Sequence, residues 1–136
     1  MIKFEIPLTP ISKKNSQQIM TNRMTGKPFV MPSKQFKQYE TAALWFIPRP
    51  YKPIDYPVNV ECHFFMSTRR KVDLTNLLEA IDDIMVKAGL ISDDNFTIIQ
   101  SHDGSRVYYD KENPRTVVCI TPAKAANNND SPKATE

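Results

Sequence analysis

Apolar and polar residues alternate at the start of this chain and again in its middle, and after each of those stretches the apolar positions recur every three to four residues. Ile2, Phe4 and Ile6 alternate with Lys3 and Glu5, the pattern of a half-buried strand that Pro7 and Pro10 then end. Val58, Val60, Cys62 and Phe64 alternate with Asn59, Glu61, His63 and Phe65, a second and longer strand signal. Residues 95–101 and 104–109 read as strand interrupted at His102-Asp103-Gly104, and residues 116–121 as the last strand. Two short apolar stretches over residues 19–30 flank Thr25-Gly26-Lys27-Pro28, which predicts a hairpin.

Two segments carry the helical period instead. Ser33 is placed to cap a helix running to about residue 46, with Phe36, Tyr39, Ala43 and Leu44 as its buried stripe and with Trp45 and Phe46 read as core. From Asp73 onward, Leu74, Leu77, Leu78, Ile81, Ile84, Met85 and Ala88 share one arc of roughly 120° at 100° per residue. Gly89 supplies the stop of this second helix, and Lys87 suits the negative end of its dipole. Pro48, Pro50, Pro53 and Pro57 stiffen the connector between helix and strand. From Pro122 onward the composition turns to Ala, Asn, Ser and Lys, too little apolar surface to offset its ordering entropy. The pattern therefore predicts a single small α/β domain over residues 1–121, of the α+β kind with a mixed sheet and two main helices, followed by a disordered tail over 122–136.

Composition narrows the class. A chain of 136 residues that is 40% hydrophobic supports one core. It has no apolar run of 18 residues and opens on no leader-like segment, so it is expected to be soluble, cytoplasmic and without a membrane role. Cys62 and Cys119 sit inside strand-like runs and are expected as free thiols of a reducing compartment. The net charge of +3 is unevenly spread: residues 1–56 hold nine Lys and Arg against three acids, and the remainder nine against twelve. A basic half beside an acidic half suits a polyanion held against a cation site.

The acidic half is ordered. Asn76, Glu79 and Asp83 fall within about 60° of one another on the second helix, with Asp82 to one side and Asp73 at the helix start. Asp93 and Asp94 follow shortly after Gly89, so a strand returning beside the helix brings them near its end. Clustered carboxylates raise one another's pKa, and Mg²⁺, which takes one or two carboxylates together with water and phosphate oxygens, is a usual compensator. By spacing alone the same residues also describe a solvated helix face and an ordinary Asp-Asp turn. Basic and donor-rich stretches lie nearby: Lys13-Lys14-Asn15, Lys34 and Lys37 at the first helix start, and Arg69-Arg70-Lys71 at the mouth of the second helix. His63 and His102 read as satisfied sheet residues, not ligands.

Arg69-Arg70-Lys71, then Asp73-Leu74-Thr75-Asn76-Leu77, Asp83, Ala88-Gly89 and Asp93-Asp94 together resemble the RusA family of Holliday junction resolvases, and the likeness extends more loosely over residues 3–121. The resemblance implies a small homodimeric endonuclease dependent on Mg²⁺, with Mn²⁺ a possible substitute, acting on four-way junctions. Transferred by position, it makes Asp73, Asp83 and Asp94 catalytic and Asp73, Asp93 and Asp94 metal ligands, and Glu79 joins both sets as a carboxylate displaced from its usual place on the helix. Lys13, Lys14, Asn15, Lys34, Arg69, Arg70, Lys71 and Asn76 become the DNA contacts. Two positions depart from the family pattern: its second Asp is Thr75 here, and its lysine is Glu79. Residues i and i+4 stack on one helix face, so Glu79 is expected to restore the carboxylate absent at Thr75. Lys71, Arg70 or a lysine of the N-terminal half then replaces the missing ammonium. The competing expectation is a catalytically inactive branched-DNA-binding protein.

Overall fold

The structure is a computed structural model and describes residues 1–13, 18–31 and 33–123. Lys14, Asn15 and the tail beyond Ala123 lie outside the described residues. The main sheet is built from β1 (Ile2–Ile6), β4 (Val58–Met66), β5 (Ile99–Ser101), β6 (Arg106–Tyr109) and β7 (Arg115–Pro122). β7 runs antiparallel to β1 on one side and to β4 on the other. Across β4, the far edge is shared: β5 pairs with its beginning and β6 with its end, both parallel. The sheet is therefore mixed, as the pattern predicts.

A separate hairpin, β2 (Gln18–Thr21) with β3 (Pro28–Met31), closes through Asn22. The Asn22 carbonyl accepts from the Gly26 amide, while its side chain accepts from the Met24 amide. Gly26 has φ +69°, a conformation that favours glycine at this turn.

α1 (Lys34–Ala43) begins where expected, with Ser33 Oγ accepting from the Phe36 amide at 3.0 Å. Phe36, Tyr39 and Ala43 are buried, but the helix tightens into a 3-10 turn at Leu44–Phe46. That turn corrects one expectation: Trp45 is 86% exposed and Phe46 41%, and the buried position passes to Ile47.

α2 (Leu74–Lys87) joins β4 to β5 and packs on the core, burying Leu77, Ile81, Ile84 and Met85. Ala80 and Asp82 are buried at the two margins of that stripe, so its buried arc spans about 200° instead of 120°. Gly89 ends it at φ +79°, where the Leu90 amide reaches back to the Met85 carbonyl.

A second correction concerns residues 95–98, which form a turn instead of strand: Asn95 caps them, its carbonyl accepting from the Ile98 and Ile99 amides, and Phe96 is 83% exposed. Strand begins only at Ile99. On β4, Val58, Val60, Cys62 and Phe64 face the core, as their alternation requires. Both cysteines are free thiols. Among the described residues no helix is long and apolar enough to cross a membrane.

Candidate active site

The side of α2 away from its buried arc carries Asn76, Glu79 and Asp83 together. The turn after Gly89 brings Asp94 to them, and the chain after β1 brings Lys13. These five residues, with Ala80, line a cavity of about 140 Å³. Lys13 Nζ lies 3.5 Å from Asp83 Oδ2, and Lys87 Nζ lies 3.8 Å from the same oxygen. Lys87 also reaches Glu40 at 2.9 Å, tying α1 to α2 behind the site. Thr75 is exposed and lies outside the cavity lining, whereas Glu79 is within it.

Asp93 and Asp94 behave differently although adjacent. Asp93 Oδ1 accepts from the Asp94 amide at 2.7 Å and Oδ2 from Asn95 Nδ2 at 3.0 Å. Those bonds hold Asp93 below the usual carboxylate range. Asp94 is held above it by partial burial, by its contact with Asp93, and by the charges of Asp93 and Asp83. Asp93 thus shapes the turn, and Asp94 faces the cavity.

Asp73 opens α2 without capping its amides; Asn76 Nδ2 donates to Asp73 Oδ2 at 3.2 Å. Asp73 lines a neighbouring, larger cleft of about 480 Å³ together with Ser12, Gln35, Thr68, Arg70 and Lys71. Asn76 is therefore the link between cleft and carboxylate cavity. Arg69 turns aside, its guanidinium 4.2 Å over the Tyr109 ring. Lys34 lies on the outer face of α1, away from both cavities.

The donor set is all hard oxygen, with two carboxylates close enough to perturb each other and a lysine ammonium beside them. Its chemistry fits a divalent cation that keeps much of its water. Among the described residues no three His, Cys, Asp or Glu side chains converge as a ready-made metal site. Any such ion would thus complete its coordination with water and phosphate oxygens.

One pair at this site was not predicted. His102 Nε2 lies 2.8 Å from Asp82 Oδ2, and His102 Nδ1 lies 2.8 Å from the Val60 carbonyl. The interruption between β5 and β6 makes this contact possible. Asn59 Oδ1 accepts from the Asp103 amide and the Ser101 hydroxyl, which bends the edge and turns the imidazole under α2. Burial pushes the Asp82 carboxyl up, opposed in part by the bond to His102 and its charge. Burial alone would lower the His102 imidazole, but Asp82 and the Val60 carbonyl raise it. Asp82 Oδ1 is buried without a hydrogen-bond partner. The available signal was the position of Asp82 about 40° beyond the apolar stripe, at the margin of what a helix buries.

Comparison with known proteins agrees with this architecture. The family model described as Endodeoxyribonuclease RusA matches residues 7–121. A crossover junction endodeoxyribonuclease RusA of Aquifex aeolicus (strain VF5) is 34% identical over 89 residues, covering 64% of this chain and 68% of that protein. A match spanning both cavities, both principal helices and every strand of the main sheet except β1 covers most of the described core: the chain belongs to the RusA endodeoxyribonuclease family.

Proposed function

We propose that this protein is a Mg²⁺-dependent endonuclease that resolves four-way junctions and other branched DNA by paired phosphodiester hydrolysis, with Mn²⁺ able to replace Mg²⁺. The observation that carries this reading is that Asn76, Glu79, Asp83, Asp94 and Lys13 line one cavity beside the basic cleft of Arg70 and Lys71. The nuclease domain is taken as residues 1–121, in keeping with the extent of the family match.

Hydrolysis adds water across one P–O bond of the backbone, so the site must hold the phosphate, orient the water and neutralise charge on the leaving oxygen. A bound divalent cation would supply a water of lowered pKa and charge stabilisation. Glu79, Asp83 and Asp94 are the residues to hold it, with Asp73 contributing from the adjoining cleft and Asp93 acting by fixing the turn that presents Asp94. Glu79 takes the part of the acid replaced by Thr75. Lys13 takes the part of the lysine replaced by Glu79, placing an ammonium where the scissile phosphate meets the carboxylates. Arg70 and Lys71 line the approach with Asn76 beside them, Arg69 and Lys34 stand away from it, and Lys14 and Asn15 are DNA contacts on the sequence reading alone. Two symmetric cuts require two sites related by a two-fold axis, which a homodimer provides.

The decisive assay compares a synthetic four-way junction with a linear duplex, in Mg²⁺ and in EDTA, for the native chain, Asp94→Asn and Glu79→Gln. Paired nicks on the junction that disappear in EDTA and in both variants are expected. Tight binding without nicking in any metal would instead identify an inactive junction-binding relative, in which Thr75 and Glu79 mark the loss of chemistry.

A further inference from the structure

We propose that the outward face of α1 is a second DNA contact, with Trp45 as a stacking platform for an unstacked base and Lys34 and Lys37 as its phosphate partners. The inference rests on the DNA-cutting reading above, and apart from Lys34 it rests on different residues.

At 100° per residue, Lys34, Gln38, Thr41 and Trp45 fall within about 60° of one another, opposite the buried Phe36, Tyr39 and Ala43. With Lys37 and Ala42 they line an open groove of about 490 Å³. Among the described residues, no acidic residue lines it. Glu40, the one acid of α1, is turned aside to Lys87. Trp45 is the single tryptophan of the chain and is 86% exposed at the end of this groove. An indole left in water forgoes the stabilisation of burial, so its exposure on a basic face points to a ligand with an apolar plane and a negative backbone.

Nucleic acid has both. Bases inside a duplex present no open face to a side chain standing on a convex helix, whereas single strands and branch points do. A second copy of this chain fits less well: a two-fold contact centred here would set Lys34 and Lys37 against their own equivalents. One residue of α1 also borders the expected DNA path. Gln35, next to Lys34, lines the cleft that holds Arg70, Lys71 and Asp73, and Trp45 stands about 16 Å further along the helix axis.

Because the chain has one tryptophan, its emission reads the platform directly. Full-length protein in EDTA is titrated at fixed salt with dye-labelled oligothymidylate, a four-way junction and a blunt duplex, following dye anisotropy and tryptophan emission together. Quenching that saturates in step with anisotropy is expected for the oligothymidylate and the junction but not for the duplex. Trp45→Ala should weaken oligothymidylate binding about tenfold, and Trp45→Phe should retain most of it. A rise in anisotropy with unchanged emission and full affinity of Trp45→Ala would overturn the platform while leaving DNA binding intact. Absence of any anisotropy change would remove the DNA reading itself, and the platform with it. Emission that shifts with protein concentration alone would assign Trp45 to contact between copies, which also overturns the proposal.

Discussion

Lys13 Nζ and Asp83 Oδ2 stand 3.5 Å apart although seventy residues separate them in the chain. The contact joins the basic N-terminal half to the acidic helix at the cavity that Glu79 and Asp94 also line. Both side chains remain partly open to solvent, so the pair contributes little to stability and leaves the ammonium available to a phosphate.

Replacing that ammonium should therefore affect chemistry more than folding. Lys13→Ala is expected to lower junction cleavage about tenfold to a hundredfold, with thermal stability nearly unchanged, and Lys13→Arg to recover part of the loss. Single-turnover cleavage under saturating protein separates this from weaker binding.

The exchange of carboxylate and lysine along α2 predicts a compensating pair. Glu79→Lys alone should abolish cleavage. Adding Thr75→Asp returns an acid one turn earlier on the same helix and is expected to restore measurable nicking. Failure of the double variant, alongside full activity of Thr75→Asp alone, would show that Glu79 does not stand in for that acid.

Asp82 and His102 set a pH dependence of stability whose sign follows from their shifts. Both groups bind protons more tightly in the folded chain than their ordinary values allow. Across that window the native state holds more protons than the unfolded state, so stability falls as pH rises through the raised His102 pKa. Thermal melts from pH 6 to 9 should show a declining midpoint, flattened in His102→Gln. His102→Ala leaves a buried carboxylate without its partner and is expected to cost about 2–4 kcal/mol.

Much of this molecule is local, and what is local was legible. Alternation at Val58, Val60, Cys62 and Phe64, the cap at Ser33 and the stop at Gly89 each express a constraint that acts within a few residues: strand period, an orphan helix amide, a left-handed turn. The motif running from Arg69 to Asp94 was readable for the same reason, since α2 itself presents Asn76, Glu79 and Asp83 on one side. Tertiary structure decided what depends on neighbours distant in sequence. It set Lys13 beside Asp83, and it parted Asp93 from Asp94 by using the first to bond the turn. It buried Asp82 against His102, because β4 passes beneath the margin of α2 and the edge strand breaks there. It also left Phe46 41% exposed and gave the core position beyond α1 to Ile47, a choice that the helical period does not make. Hydropathy names the side chains that gain from burial; only packing determines which of them find a surface to meet.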